Sequence, residues 1–344
     1  MRNRSITAAL AAIAVVMLMP APTAGQEQVG SGDMAATPRT AWGAPDLQGV
    51  WNNNTSTPLQ RPDEFADKDL LTEEELSEFT LERQASREDR DSREGRGTDA
   101  DVRRAYNAHW YPVPGEPIER TSLILDPKNG RLPPLTPQGQ ERMEGRSVAR
   151  SRAPVGPEDR NLWERCISRG VPRPPGGYNN HFQIVQTQDY VVVLLEMVHE
   201  ARIIPLDGSP HIGSAIRQRL GDSRGHWEGD TLVVDTTNFI DDTEVRSFRG
   251  RLSDRLHLVE RFTRVDADTL GYEMTVEDLS TFTRAWTAAW PATTLASDVG
   301  GLDQVQVPQM FEYACHEGNY GLVGQLAGAR VEERTAAAAT TQSR

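Results

Sequence analysis

The chain has 344 residues, 37% hydrophobic and 25% charged, and its 37 basic and 50 acidic side chains give a net charge of −13. Such a balance belongs to a folded protein with polar extensions. An acidic chain without a basic tract is excluded as a nucleic-acid binder, because phosphate neutralisation drives that association. The longest apolar run, Ile6–Met19, has 14 residues, and a spanning helix needs about 20, so no membrane span is expected.

Residues 1–25 read as a signal peptide. Arg2 and Arg4 precede the apolar run and Thr23-Ala24-Gly25 supplies a small-residue exit. Without those two arginines, 35 bases face 50 acids and the mature net charge is −15. The destination is the periplasm or the exterior, where Cys166 and Cys315 are expected to form a disulfide. Residues 26–40 lack periodicity and read as a disordered linker.

Residues 41–177 read as wrapping segments, extended and helical, around a core that begins at residue 178. In Thr72-Glu73-Glu74-Glu75 the hydroxyl and the carboxylate can cap reciprocally, which predicts a helix from Glu73 to about Arg87. Residues 63–104 hold 15 acids and 8 bases, a solvated face rather than a site. Thr121–Pro127 is a β run, and Lys128-Asn129-Gly130 a turn. Thr136-Pro137 then predicts an N-cap and a short helix to about Arg146.

Residues 178–332 read as an antiparallel β-barrel, with strands expected over 182–187, 190–198, 201–206, 231–239, 256–265, 269–278, 282–290 and 309–316. Residues 333–344 read as a disordered tail. Pairing Val265 with Thr269 across a three-residue turn sets the register of 256–265 against 269–278. It opposes Leu258, Glu260 and Phe262 to Val276, Met274 and Tyr272 on one face. The other face gains the charge pairs Arg261–Glu273 and His257–Glu277. Glu260 thus sits on an apolar face, and Glu196 in a strand apolar on both sides. Without a neighbouring cation, desolvation raises a carboxyl pKa toward that of a general base; Arg202, if paired with Glu196, reverses this.

The catalytic candidates are therefore Glu196 or Glu260 as base, with His199 or His316 as partner. Tyr178, Asn179, Asn180, Arg202, Trp227 and Tyr313 stand at strand ends, where a barrel binds its ligand. Residues 221–230 read as a turn-rich loop that includes a hairpin turn at Glu228-Gly229-Asp230. No metal site is expected, since the histidines have no ligand spacing, and no cofactor is expected, since no serine elbow, phosphate loop or dinucleotide fingerprint occurs.

The strings LGDSRGHWEGDTLVVDTTNF (220–239), EMVHEARIIPLDG and YACHEGNY resemble a family of secreted bacterial proteins, a likeness running from about Trp42 to Arg330. It implies secretion and a single unit, and it carries over no catalytic residue. Gly49-Val50-Trp51 resembles the Gly-x-Trp of the first lipocalin strand, which implies a calycin-like barrel. The resulting expectation is an acid–base enzyme of lyase, isomerase or dehydratase type, acting on a small organic substrate in the barrel mouth. The alternative is a periplasmic small-molecule binding or carrier protein, and a third possibility an envelope assembly protein. Convergence of the two glutamates and two histidines on one concave surface favours catalysis, whereas separate satisfied pairs favour binding or structure.

Overall fold

The computed structural model describes residues 37–91, 118–176, 179–241, 243–245, 250–294 and 310–342. The signal peptide, most of the 26–40 linker and Tyr178 lie outside them. Among the described residues the fold is mainly β, with ten strands in one antiparallel sheet and three helices. Among the described residues no helix is long and apolar enough to cross a membrane.

The strands are β1 (Gly49–Asn52), β2 (Ile124–Asp126), β3 (His181–Gln186), β4 (Tyr190–Leu195), β5 (Ala201–Pro205), β6 (Asp222–Glu228), β7 (Thr231–Thr237), β8 (Thr243–Val245), β9 (Gly250–Leu252), β10 (His257–Arg264), β11 (Thr269–Glu277) and β12 (Trp286–Thr293). The main sheet runs β5-β4-β3-β1-β12-β11-β10-β7-β6, with β2 added to β12, while β8 and β9 form a separate hairpin. The sheet therefore takes two strands, β1 and β2, from ahead of residue 178.

The expected closed barrel is corrected, because β5 and β6 end the sheet without a ladder between them. Their side chains nevertheless meet. A Cβ on Gly225 of β6 would lie 2.9 Å from Ile204 Cγ2 and 2.7 Å from Leu206 Cδ2. Arg202 on β5 donates to Ser223 on β6 at 3.1 Å. The sheet curls until its edges pack, and side chains fill the seam in place of backbone hydrogen bonds.

Strict alternation of buried and half-exposed residues along β10 and β11 comes from the period of 2, and the ladder has the expected register, His257 opposite Glu277 through Arg264 opposite Leu270. The inner face joins Leu258, Phe262, Met274 and Val276 to Trp51, Ile184, Val193 and Trp286 in one core. Arg261 differs from expectation: its guanidinium reaches Glu228 at 2.8 Å.

Four strand readings change. β4 ends at Leu195, because Val198 (φ 66) and His199 (φ 51) turn the chain through left-handed backbone; its outer residues are also half-exposed, not buried. β6 takes the place of the expected loop: Asp-Ser-Arg-Gly-His shows neither alternation nor β-branched residues, yet the segment pairs with β7, and Gly229 (φ 59) makes the turn between them. Residues 310–316 form no strand, for Cys315 and Asn319 tie this segment to 164–166 and away from any sheet edge. The last sheet strand starts at Trp286 rather than residue 282. Its Pro291 lacks an N–H where the neighbour of β12 changes from β2 to β1, so no ladder bond is lost.

Helix α1 (Glu73–Asp91) opens with the expected box: Thr72 N–H donates to Glu75 Oε2 at 2.7 Å and Glu75 N–H to Thr72 Oγ1 at 3.3 Å. Helix α2 (Pro137–Ser151) is capped by Thr136, whose Oγ1 accepts from Gly139 N–H at 3.0 Å. Gly139 is required there, as a Cβ would sit 2.3 Å from the Thr281 carbonyl oxygen. Helix α3 (Tyr320–Gln342) runs through residues 333–342 of the expected disordered tail, and 343–344 lie outside the described residues. Ala-rich sequence has high helix propensity, and Arg330 anchors the helix to the Pro154 and Val155 carbonyls at 2.8 Å each.

Candidate functional site

A cavity of about 40 Å³ opens inside the curled sheet. Its apolar walls are Val171, Phe182, Val193, Leu195 and Phe262; Asn53, Arg173, Asn180 and His181 add polar groups, as do Arg202, Glu260 and Tyr272.

The period of 2 delivers the last three to one place. Glu260 and Tyr272 lie on the inner face of the β10–β11 ladder, and Arg202 enters from β5, opposite Val193 of β4. Arg202 donates to Glu260 Oε1 at 3.0 Å and to Oε2 at 2.6 Å. Tyr272 OH donates to Glu260 Oε1 at 2.8 Å. Arg202 also reaches Ser223 and Thr236 at 3.1 and 3.2 Å. The side chains of Arg202 and Glu260 are only 4% and 3% exposed. Burial works against the Arg202 charge, but Glu260 more than offsets it and raises the guanidinium pKa. Burial, then the Glu260 carboxylate, pushes the Tyr272 phenol well above its usual range. The expectation that Glu260 stands without a cation is corrected, since Arg202 occupies that position.

A second polar group lies where β3 begins and β4 ends. Glu196 Oε2 meets His181 Nδ1 at 2.9 Å and accepts from His181 N–H at 3.2 Å. Asn179, itself left-handed at φ 54, donates Nδ2–H to Glu196 Oε1 at 3.0 Å. Burial favours the neutral acid, yet these partners, His181 foremost, outweigh it and the Glu196 pKa is lowered. That overturns the expected rise, and the cation expected at Glu196, Arg202, belongs to Glu260 instead.

Of the other candidates, Asn180 is buried on the cavity wall. Trp227 is half-buried against the core and does not line the cavity. His199 and His316 are exposed, and neither imidazole hydrogen-bonds to either glutamate. The four catalytic candidates therefore do not converge. Tyr313 lines a separate, open cavity of about 590 Å³ with Trp163, Glu164, Glu317 and Asn319. Beside it the expected Cys166–Cys315 disulfide is present, with Cα atoms 5.7 Å apart.

Sequence reasoning missed His181, Asn53 and Arg173. For His181 a signal existed. Thr187 N–H bonds Tyr190 O across the β3–β4 turn, and carrying that register to the strand ends sets His181 opposite Glu196. Asn53 and Arg173 come from loops and carry no such pattern.

Among the described residues no three His, Cys, Asp or Glu side chains are grouped as a metal ion requires. Compared with protein-family models, with curated proteins and with solved structures, the chain matches none.

Proposed function

We propose that this is a secreted, cofactor-independent acid–base enzyme of lyase, isomerase or dehydratase type, acting on a small organic molecule inside a calycin-like curled sheet. One observation carries the reading: His181, held at Nδ1 by buried Glu196, borders the cavity. A carboxylate at Nδ1 keeps the proton there and leaves Nε2 as the basic lone pair. Glu196 and Asn179 orient the ring, and His181 exchanges the proton with the substrate. Positioned general acid–base catalysis is worth about 10²–10⁴ in rate, and these reaction classes ask for little more. This moves the base from Glu196 or Glu260 to His181.

The test is incubation of purified protein with a metabolite extract in D2O, followed by mass spectrometry. The native protein is expected to drive deuterium into, or convert, a small metabolite that His181→Gln leaves untouched. Identical spectra from both proteins defeat the reading.

Small-molecule binding without turnover is the second reading. Its support is that Glu260 is engaged by both Arg202 and Tyr272, as in a satisfied internal pair. Co-purification of an unaltered ligand with both native protein and His181→Gln favours it.

A further inference from the structure

Two histidines on the outer face of the sheet meet a carboxylate at both ring nitrogens. His211, in the connection from β5 to β6, has Nδ1 2.9 Å from Asp222 Oδ2 and Nε2 2.8 Å from Asp235 Oδ1. His257 of β10 has Nε2 2.7 Å from Asp235 Oδ2 and Nδ1, at a longer 3.4 Å, from Glu277 Oε2. A neutral imidazole carries one N–H, so its other nitrogen would turn a lone pair on a carboxylate; only the imidazolium donates at both. The arrangement is complete in the protonated form alone. His181 and His226 differ, since each meets a carboxylate side chain through one nitrogen, which a neutral ring satisfies.

The charged groups around the rings come from every neighbouring element. Asp222 and Arg224 belong to β6, Asp235 to β7 and Glu277 to β11. Asp207, on the loop itself, is taken up by Ser209 and lies within the influence of Arg224. The His257 hydrogen bond foremost, with His211 adding to it, outweighs burial and holds the Asp235 carboxyl below its ordinary range.

His211 also fixes where its loop sits. Among the described residues, 207–210 hydrogen-bond only with one another, and the His211 ring ties that stretch to the sheet. From Ile212 onward other bonds take over: Ile212 N–H donates to Asp222 Oδ2 at 3.0 Å, and Asn238 Nδ2–H to the Ile212 carbonyl at 2.8 Å. Asp222 precedes Ser223, which receives Arg202 on the inner face. Consecutive strand residues point to opposite faces, so the two contacts lie back to back at the seam where β5 and β6 share no ladder.

We propose that the His211–Asp235–His257 chain is a proton-operated latch that fastens the β5–β6 connection to the outer face of the sheet at the seam. Protonated His211 bridges Asp222 on β6 and Asp235 on β7. When the ring gives its proton to water, a lone pair faces one of these carboxylates, that bridge breaks, and residues 207–211 come away. A proton bound in the closed state stabilises it, so the latch holds at lower pH. It opens as pH rises through the range in which imidazole changes charge, about pH 5–8.

The experiment is an NMR titration of the ¹⁵N-labelled protein across that range. Imidazole ¹⁵N spectra report whether one or both nitrogens of His211 carry a proton, and heteronuclear NOEs of the Asp207, Gly208 and Ser209 amides report ps–ns mobility. At the low end the ring is expected to hold two protons and the amides to be as rigid as those of β6. As pH rises, the ring is expected to lose one proton and the amides to become mobile with the same midpoint. His211→Ala should leave those amides mobile throughout, with no titration. Amides that keep one mobility across the range in the native protein, or that stay rigid over a singly protonated His211, overturn the proposal. So does a His211→Ala protein whose loop titrates as the native one does.

Discussion

Arg202 on β5 and Glu260 on β10 make a two-point contact across the unpaired seam of the sheet, Nη1 to Oε1 at 3.0 Å and Nη2 to Oε2 at 2.6 Å. It joins strands that share no ladder and holds both charges inside the core. Each ion is worth its desolvation only while the other is present. Glu260→Gln is therefore expected to lower unfolding free energy by about 3–5 kcal/mol, the usual cost of leaving one partner of a buried pair alone. The paired change Arg202→Met with Glu260→Leu should recover most of that. Urea denaturation of the three proteins checks this, and a Glu260→Gln protein as stable as the native one would show that the seam does not depend on the pair.

Glu196 should make the protein acid-labile. Its pKa lies below the ordinary glutamate value, so its contribution is present above that ordinary value and is lost as pH falls through the lower folded value. Thermal melts of native protein and Glu196→Gln are expected to differ at neutral pH and to converge as pH falls below the ordinary carboxylate range. A gap that persists at low pH would mean that the substitution acts through packing instead.

The outer face carries an opposite dependence. His257 Nε2 lies 2.7 Å from Asp235 Oδ2, and His211 Nε2 lies 2.8 Å from Asp235 Oδ1. Asp222, 2.9 Å from His211 Nδ1, Glu277, 3.4 Å from His257 Nδ1, and Arg224 complete the cluster. Asp235, ahead of the opposing effect of burial, raises the His257 pKa above 6.5. A raised histidine stabilises below its unfolded pKa and loses that contribution as pH rises through the folded value. Native protein should therefore lose stability from about pH 6.5 upward, and His257→Gln should flatten that limb of the curve. Equal slopes for the two proteins would exclude His257 as the cause.

The disulfide closes a loop with a sequence separation of 149 and fastens the start of α3 to the segment before β3. Removing a native disulfide typically costs about 2–5 kcal/mol. Cys166→Ser with Cys315→Ser is expected to show that loss in denaturant, with early proteolytic cutting between Met310 and Asn319. Two free thiols in the unreduced native protein would contradict the bond itself.

What could be read from the chain was what short-range geometry controls. A three-residue turn and a period of 2 dictated the β10–β11 register, and with it the inward position of Glu260. The Thr72 and Thr136 caps followed from hydroxyl reach over three residues. The His181–Glu196 contact was within the same reach through the β3–β4 hairpin. Only the tertiary structure decided the rest. Nothing local connects Arg202 with a carboxylate 58 positions away, or brings β1 and β2 into a sheet made mostly of later strands. Those choices depend on how far the sheet curls, because curvature sets which inward side chains meet across the core. The curl that brings β5 toward β6 assigned Arg202 to Glu260 rather than to Glu196, and no local rule encodes that choice.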